Sequence, residues 1–213
     1  MRVLDDVTEA EMVATFLQAE LHSERFGSAL RQLLQRDNMA QQIILTPDLH
    51  NPTENNYRLR LLGEFRGYGQ NRDLFESFPS TVVWQRVQLT ATELLTIKYI
   101  DYSYWNEISN GTRLPTKAAK TIRAGGLIFG RMPTDGFLRI AAALENGAAF
   151  PELIAVRASP AAEIVVVEGH VRLTVYALVP AAIPLDLTII LGTSPDIGRW
   201  NNYGMHPNEP TDN

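Results

Sequence analysis

The stretch that decides the fold runs from Pro151 to Gly192 and reads PELIAVRASPAAEIVVVEGHVRLTVYALVPAAIPLDLTIILG. Three short apolar runs within it, LIAV, IVVV and LTIIL, are rich in β-branched residues and bounded by turn residues, which is typical of buried strands. The segment VRLTVYALV between the second and third runs has a helix-like pattern. Because strands and a helix follow one another here, this stretch predicts a mixed α/β core.

Working outward from that core, residues 81–89 alternate apolar and polar side chains and predict a further strand. Thr90 with Glu93 three residues later forms a capping-box pattern, which marks the start of a helix. Apolar residues continue at helical spacing as far as Ile108, so we expect one helix over this segment.

Two more helices are expected before the core. Pro115 is suited to the first position of a helix, and paired glycines close the segment that it opens. The following segment, DGFLRIAAALENG, predicts a short helix that buries Leu138, Ala142 and Ala143 and stops at Gly147.

The first third of the chain has a different pattern. Apolar residues recur at three- and four-residue steps through residues 6–36 and predict one long helix or two, whereas residues 57–69 leave strand and short helix both open. We therefore expect a mostly helical extension over residues 1–78, an α/β domain over residues 79–200 and an irregular tail over residues 201–213.

Composition limits the classes of protein that are possible. The chain has 213 residues, 45% hydrophobic and 20% charged, with no cysteine and a net charge of −5. Disulfides, thiolate metal sites and thiol nucleophiles are excluded, and the net charge argues against attraction of the whole protein to nucleic acid. With no signal sequence or membrane-spanning stretch recognisable, we expect a cytoplasmic protein without a membrane partner. The four histidines are too scattered to predict a zinc site.

The charged turn at the end of the IVVV strand is the leading candidate site. Gly169 permits a tight turn and close approach of a ligand, and the helix after it presents unpaired amides, which bind anions. His170 and Arg172 beside that helix start supply side-chain donors, and arginine can hold two phosphate oxygens at once. The alternative is that Arg172 is a surface residue and His170 a hydrogen-bonded cap.

This region resembles the ParB/sulfiredoxin-like superfamily over about residues 80–192. The resemblance is carried by a lead-in of Leu144, Gly147, Pro151 and Ile154, followed by the Glu-Gly-His-x-Arg box at residues 168–172. It is closest to the Asp/Glu-Gly-His-x-Arg form of that superfamily. The helix-turn-helix DNA reader of partition proteins has no counterpart after the box, and sulfiredoxin chemistry is excluded because it needs a thiol.

The resemblance implies that the box binds nucleotide phosphates. Glu168, Gly169, His170 and Arg172 are then the expected nucleotide-binding residues, with ATP, ADP or CTP and Mg²⁺ as the expected cofactors. Glu168 is a candidate to hold Mg²⁺, to orient His170 or simply to end the strand.

Catalytic roles follow for two residues if the protein is an enzyme. Phosphoryl transfer or nucleotide hydrolysis would be the reaction class, with His170 donating to the charge that develops. In kinase-like relatives, a glutamate placed like Glu93 acts as the base. The capping box explains Glu93 equally well without catalysis.

One basic run offers a different function. Arg113, Lys117, Lys120, Arg123 and Arg131 fall in a stretch without a single acid, and the middle three lie on one side of the predicted helix. Such a stripe would take phosphates of a nucleic acid backbone, although a solvated helix face is the more common explanation.

Two other kinds of function are therefore alternatives to nucleotide binding. One is a non-catalytic regulatory or interaction protein, in which residues 1–78 are a candidate surface for partners or for a homodimer. The other is a nucleic-acid-binding or nuclease-like protein, which is the less favoured alternative.

Overall fold

A computed structural model describes residues 1–204 and shows a mixed α/β fold built on one sheet. The strands are β1 (Arg2–Val7), β2 (Val83–Gln88), β3 (Leu153–Arg157), β4 (Val165–Glu168) and β5 (Thr188–Thr193). Their order across the sheet is β1-β2-β5-β3-β4, and every neighbouring pair is antiparallel except β3 and β5, which are parallel.

Helices surround this sheet on both faces. The α-helices of the described residues are α1 (Glu9–Leu21), α2 (Gly27–Arg36), α3 (Gln42–Leu45), α4 (Pro52–Arg66), α5 (Ala91–Leu94), α6 (Ser103–Ile108), α7 (Pro115–Arg123), α8 (Asp135–Glu145) and α9 (His170–Leu178). Short 3₁₀ helices lie at Asp73–Phe75, Pro180–Ala182 and Pro195–Arg199. Among residues 1–204, no helix is both long and apolar enough to cross a membrane.

The central strand β3 shows why the opening stretch is so uniformly apolar. Leu153 and Ala155 point into the core formed with α7, α8 and α9, whereas Ile154 and Val156 point into the core formed with α1, α2 and α4. Successive strand residues face opposite sides of a sheet, so a strand covered on both sides needs apolar residues throughout. The predicted order of strand, strand, helix and strand is confirmed.

The amino-terminal third does not stand apart from the α/β unit as expected. Its first residues form β1, which pairs with β2, and apolar residues of α1 and α4 share a core with β3, β4 and β5. The predicted boundary near residue 78 therefore does not coincide with a break in the core. Apolar periodicity did not predict β1, because β1 is an edge strand with five exposed residues and one buried residue.

Arg86 on β2 ties this edge together. Its guanidinium contacts Asp5 of β1 at 3.2 Å, Glu11 of α1 at 2.6 Å and Glu152 before β3 at 2.9 Å. One side chain thus links the amino-terminal segment to the centre of the sheet.

The choice between strand and helix for residues 57–69 is decided for helix, because α4 runs to Arg66 and ends at Gly67 with φ of 88°.

The single helix expected from Thr90 to Ile108 is not present. The capping box between Thr90 and Glu93 is confirmed, but α5 lasts one turn, and the chain then extends so that Lys98 pairs in parallel with Val165 of β4. The helical pattern resumes only at α6. The apolar residues between α5 and α6 are buried next to the edge of the sheet. Their spacing along the chain is also compatible with a helix, which is why the sequence predicted one.

α8 forms where it was predicted, but it is rotated relative to the expected orientation. Phe137, Ala141 and Leu144 are its buried residues, whereas Leu138 is 44% exposed. The inward face is shifted by one residue because the aromatic Phe137 has more apolar surface to bury. Of the expected irregular tail, residues 205–213 lie outside the described residues.

Candidate functional site

The turn between β4 and α9 has the backbone geometry that was predicted for it. Gly169 has φ of 102°, and a Cβ at this position would lie 2.3 Å from Leu153 Cδ2. Only glycine fits there, for both conformational and steric reasons. Within residues 1–204, no side chain caps α9, and the amides of its first residues, His170, Val171 and Arg172, have no hydrogen-bond acceptor.

Arg172 makes its hydrogen bonds inside the protein. Its Nη1 donates to the carbonyl oxygens of Pro151 at 2.7 Å and Glu152 at 3.0 Å, and its Nη2 donates to Glu168 Oε1 at 2.5 Å. The Arg172 and Glu168 side chains are only 11% and 17% exposed. The guanidinium that we expected to hold phosphate is therefore occupied in joining the start of β3 to the end of β4.

His170 is enclosed as well. Its ring stacks on Trp105, with centroids 5.0 Å apart and an angle of 18°, and lies 6.2 Å from the ring of Tyr99. Burial, together with the charges of Arg66 and Arg172, lowers the pKa of His170 to about 3, so the imidazole is neutral near pH 7. Its Nε2 is buried without a hydrogen-bond partner among the described residues. A general-acid role that starts from a charged imidazole is not supported.

A buried carboxylate that the sequence reading missed lies in the same region. Glu20 of α1 is 3% exposed and faces Arg66 at the end of α4, with Oε1 and Nε 3.6 Å apart. Burial, followed by repulsion from Glu168, raises the pKa of Glu20 to about 8. Arg66 Nε is itself buried and makes no hydrogen bond within the described residues.

Together these residues form what we call the charged cluster, at the end of β4. The charges of Glu168, Arg66, Arg172 and Arg25 all influence the pKa of Glu20, so they lie in its neighbourhood. Phe26 packs between two of them, 4.7 Å from the Arg25 guanidinium and 4.4 Å from that of Arg66. The charged cluster consists of Glu20, Arg25, Arg66, Glu168, His170 and Arg172.

One sequence signal would have found Glu20. The apolar stripe of α1 runs through Val13, Phe16, Leu17 and Leu21, and Glu20 falls on that stripe at a four-residue step from Phe16. A carboxylate on the buried face of a helix is almost always paired or functional. Nothing in the local pattern identifies Arg66 as its partner, because that contact spans 46 residues of chain.

Glu93 lies in a different place from His170. Its carboxylate pairs with the amino group of Met1 and accepts from Thr90 in the capping box, and these contacts, in that order, lower its pKa to about 2. No hydrogen bond or ion pair within residues 1–204 joins it to the charged cluster. The structure therefore does not bring the two candidate catalytic residues, Glu93 and His170, into contact.

The basic run divides into buried and exposed members. Arg113 is 8% exposed and donates to the carbonyl oxygens of Tyr99 at 2.8 Å and Tyr203 at 2.5 Å, so it holds the chain together and is not part of an exposed stripe. Lys117 and Lys120 are exposed on α7, as predicted. Arg123 is also exposed but donates to the carbonyl oxygen of Leu178.

Metal binding has little direct support in the cluster. Among residues 1–204, no group of three or more His, Cys, Asp or Glu side chains converges. Mg²⁺ that arrives with a nucleotide needs only one or two carboxylates besides the phosphates, and Glu168 is the carboxylate nearest the turn.

Comparison of the chain with protein-family models, with curated proteins and with solved structures gives no match. The fold and the site therefore define the protein only as a mixed α/β protein with a charged cluster around the buried Glu20 at the end of β4. The ParB/sulfiredoxin-like resemblance stays a prediction.

Proposed function

We propose that the protein binds a phosphate-bearing ligand, with a nucleotide as the first choice, where the amino end of α9 meets the charged cluster. The observation that carries this proposal is the pair of buried nitrogen atoms that make no hydrogen bond within residues 1–204, Arg66 Nε and His170 Nε2, beside a helix start that no described side chain caps. Buried polar atoms are nearly always hydrogen-bonded, so two orphans in one cluster favour a missing acceptor.

The charges of the cluster also suit an anion. Three arginines face two glutamates, and burial favours the neutral form of one of these, Glu20. The amides of α9 and the positive end of its dipole would add to the attraction for a phosphate group. In this arrangement Arg25 and Arg66 supply the cationic contacts, and the Arg172–Glu168 pair positions the turn without touching the ligand.

If the ligand carries a transferable phosphoryl group, the cluster itself offers a group for proton transfer. Glu20, whose pKa lies near neutrality, is better suited to that role than Glu93, which is ionised and capped at the surface. The reaction class would be phosphoryl transfer or nucleotide hydrolysis, with Mg²⁺ neutralising the phosphates.

Calorimetric titration with ATP, ADP and CTP in the presence of Mg²⁺ tests the proposal. We expect at least one nucleotide to bind, and Arg66→Gln to weaken it about tenfold or more, since a charged hydrogen bond contributes roughly 1.5–3 kcal/mol. Arg60→Gln is the matched control, because Arg60 lies on the same helix but its side chain is 65% exposed. Absence of heat with all three nucleotides for folded protein would remove the proposal.

The second candidate, a non-catalytic regulatory or interaction protein, is favoured by the internal contacts of Arg172. The Arg172 guanidinium donates to three acceptors inside the protein and so stabilises the fold, as expected if the fold is a scaffold. On this hypothesis, Arg66→Gln leaves partner capture in a pull-down unchanged. Sedimentation of the purified chain would show at the same time whether it forms a homodimer.

A further inference from the structure

A depression lined by none of the residues of the charged cluster lies between α6 and a hairpin at residues 127–132. It has a volume of about 460 Å³. Its lining residues are Ser103, Asn106, Glu107, Asn110, Gly111 and Phe129.

The hairpin presents an aromatic ring to solvent on a rigid support. The amide of Ile128 donates to Met132 O at 2.9 Å, the amide of Met132 donates back at 3.0 Å, and the Ile128 side chain is fully buried. Phe129, at the tip, is 44% exposed although its φ of 53° is unfavourable for a large side chain. The fold thus bears a local conformational cost while leaving this ring accessible.

The opposite wall of the depression offers hydrogen-bonding groups. Asn106 donates from Nδ2 to Asp101 Oδ1 at 2.6 Å, whereas its own Oδ1 is buried with no partner among the described residues. Asn110 and Ser103 add an exposed amide and an exposed hydroxyl. Side-chain amides facing an aromatic ring are the groups that recognise the edges and the face of an unpaired base.

Several cations lie on the chain segments next to this depression, whereas the one charged residue among its lining residues is Glu107. Residues 111–134 contain five of the 19 Lys and Arg residues and no Asp or Glu, in a chain of net charge −5. Arg113 is used internally, but Lys117, Lys120 and Arg131 are exposed and form no ion pair within residues 1–204. Arg131 follows Phe129 by two residues, so its Cα lies within about 7 Å of that of the aromatic residue.

We propose that this surface binds single-stranded nucleic acid, with one base stacked on Phe129 and the backbone phosphates held by Lys117, Lys120 and Arg131. Single-strand binding combines an exposed aromatic ring with exposed cations, and it needs no fixed sequence. A duplex would keep its bases inside the stack and would use the cations alone. This site is independent of the phosphate site at α9.

Fluorescence anisotropy with a labelled oligothymidylate of about twelve nucleotides tests the proposal. With three cations engaged, binding should weaken up to about twenty-fold between roughly 50 and 200 mM salt. A duplex of the same length should bind more weakly than the single strand. Phe129→Asn removes the ring but accepts a positive φ, so the hairpin is preserved, and we expect a loss of about tenfold or more.

Matched controls separate this surface from general charge. Lys117→Gln combined with Lys120→Gln should reduce the salt dependence, whereas Arg60→Gln combined with Arg199→Gln, which removes the same charge elsewhere, should leave binding unchanged. Leu185→Ala, at an apolar residue that is 97% exposed, controls for Phe129→Asn. No binding at low salt, equal binding by Phe129→Asn, or loss of binding only in Arg66→Gln would each overturn the inference.

Discussion

Replacing Arg172 by methionine tests whether this residue is part of the structure or part of the ligand site. The substitution keeps the length of the apolar stem but removes three donated hydrogen bonds, to Pro151 O, Glu152 O and Glu168 Oε1. It leaves Glu168, only 17% exposed, without its counter-charge. If the geometry is right, the main effect will be on stability.

The expected magnitude follows from burial. Removing one partner of a buried ion pair costs about 3–5 kcal/mol, and partial exposure of this pair places it near the lower limit, at about 3 kcal/mol. For a chain of this length, such a loss lowers the melting temperature by about 6–12 °C. The double variant Glu168→Gln with Arg172→Met should recover about 1–2 kcal/mol, because the unpaired carboxylate is gone.

Arg139→Met is the matched control. Arg139 and Asp135 form the same kind of pair four residues apart on a helix, but their side chains are 74% and 65% exposed. Exposed pairs contribute little, so we expect a loss below about 0.5 kcal/mol. Urea titration monitored by tryptophan fluorescence measures all variants. If Arg172→Met costs no more than Arg139→Met but abolishes nucleotide binding, the structural role assigned to Arg172 is refuted.

Three further predictions concern the turn, the buried carboxylate and the amino-terminal segment. Gly169→Ala should lower the free energy of unfolding, measured in urea titrations, by at least about 2 kcal/mol more than Gly147→Ala. Both glycines have positive φ, but only at Gly169 would an added Cβ clash with a neighbouring side chain, that of Leu153. Because burial raises the pKa of Glu20 from 4.5 to about 8, the folded state holds a proton that the unfolded chain releases, and the free energy of unfolding should fall as pH rises through that window. Glu20→Gln should remove this fall, and parallel slopes for variant and wild type would contradict it. A fragment of residues 79–213 should show no cooperative unfolding, because it lacks half of one core; a sharp transition would restore the predicted domain boundary.

The parts of the fold that sequence reasoning predicts well are those whose signals are local. β3, β4, α9 and β5 follow from short apolar runs between turn residues, and the Thr90–Glu93 capping box follows from two residue types at one spacing. β1 lacks such a signal, since an exposed edge strand needs no apolar alternation. The break after α5 was missed because it is caused by the pairing of Lys98 with Val165, 67 residues away.

The candidate site also has some features that the sequence predicts and others that it does not. The conformation of Gly169 and the helix start after it were predictable from the Glu-Gly-His-x-Arg box. The roles of Arg172 and His170 were not, because they depend on the carbonyl groups before β3 and on the ring of Trp105, which only the tertiary fold brings near. The apolar pattern of α1 singles out Glu20, whereas no sequence pattern singles out its partner Arg66.

The buried cluster is costly for the protein alone, and this cost is the strongest physical reason to expect a ligand. Apolar residues of similar volume would often be as stable as buried ionic groups or more so, and here Arg66 Nε and His170 Nε2 lack even a hydrogen-bond partner among the described residues. In the proposed function, phosphate oxygens would accept from Arg66 Nε, which faces Glu20 Oε1 at 3.6 Å, from the Nε2–H tautomer of His170 and from the amides of α9. Binding would then satisfy groups that folding leaves unpaired, so a true ligand should raise the melting temperature in proportion to the logarithm of its concentration above Kd.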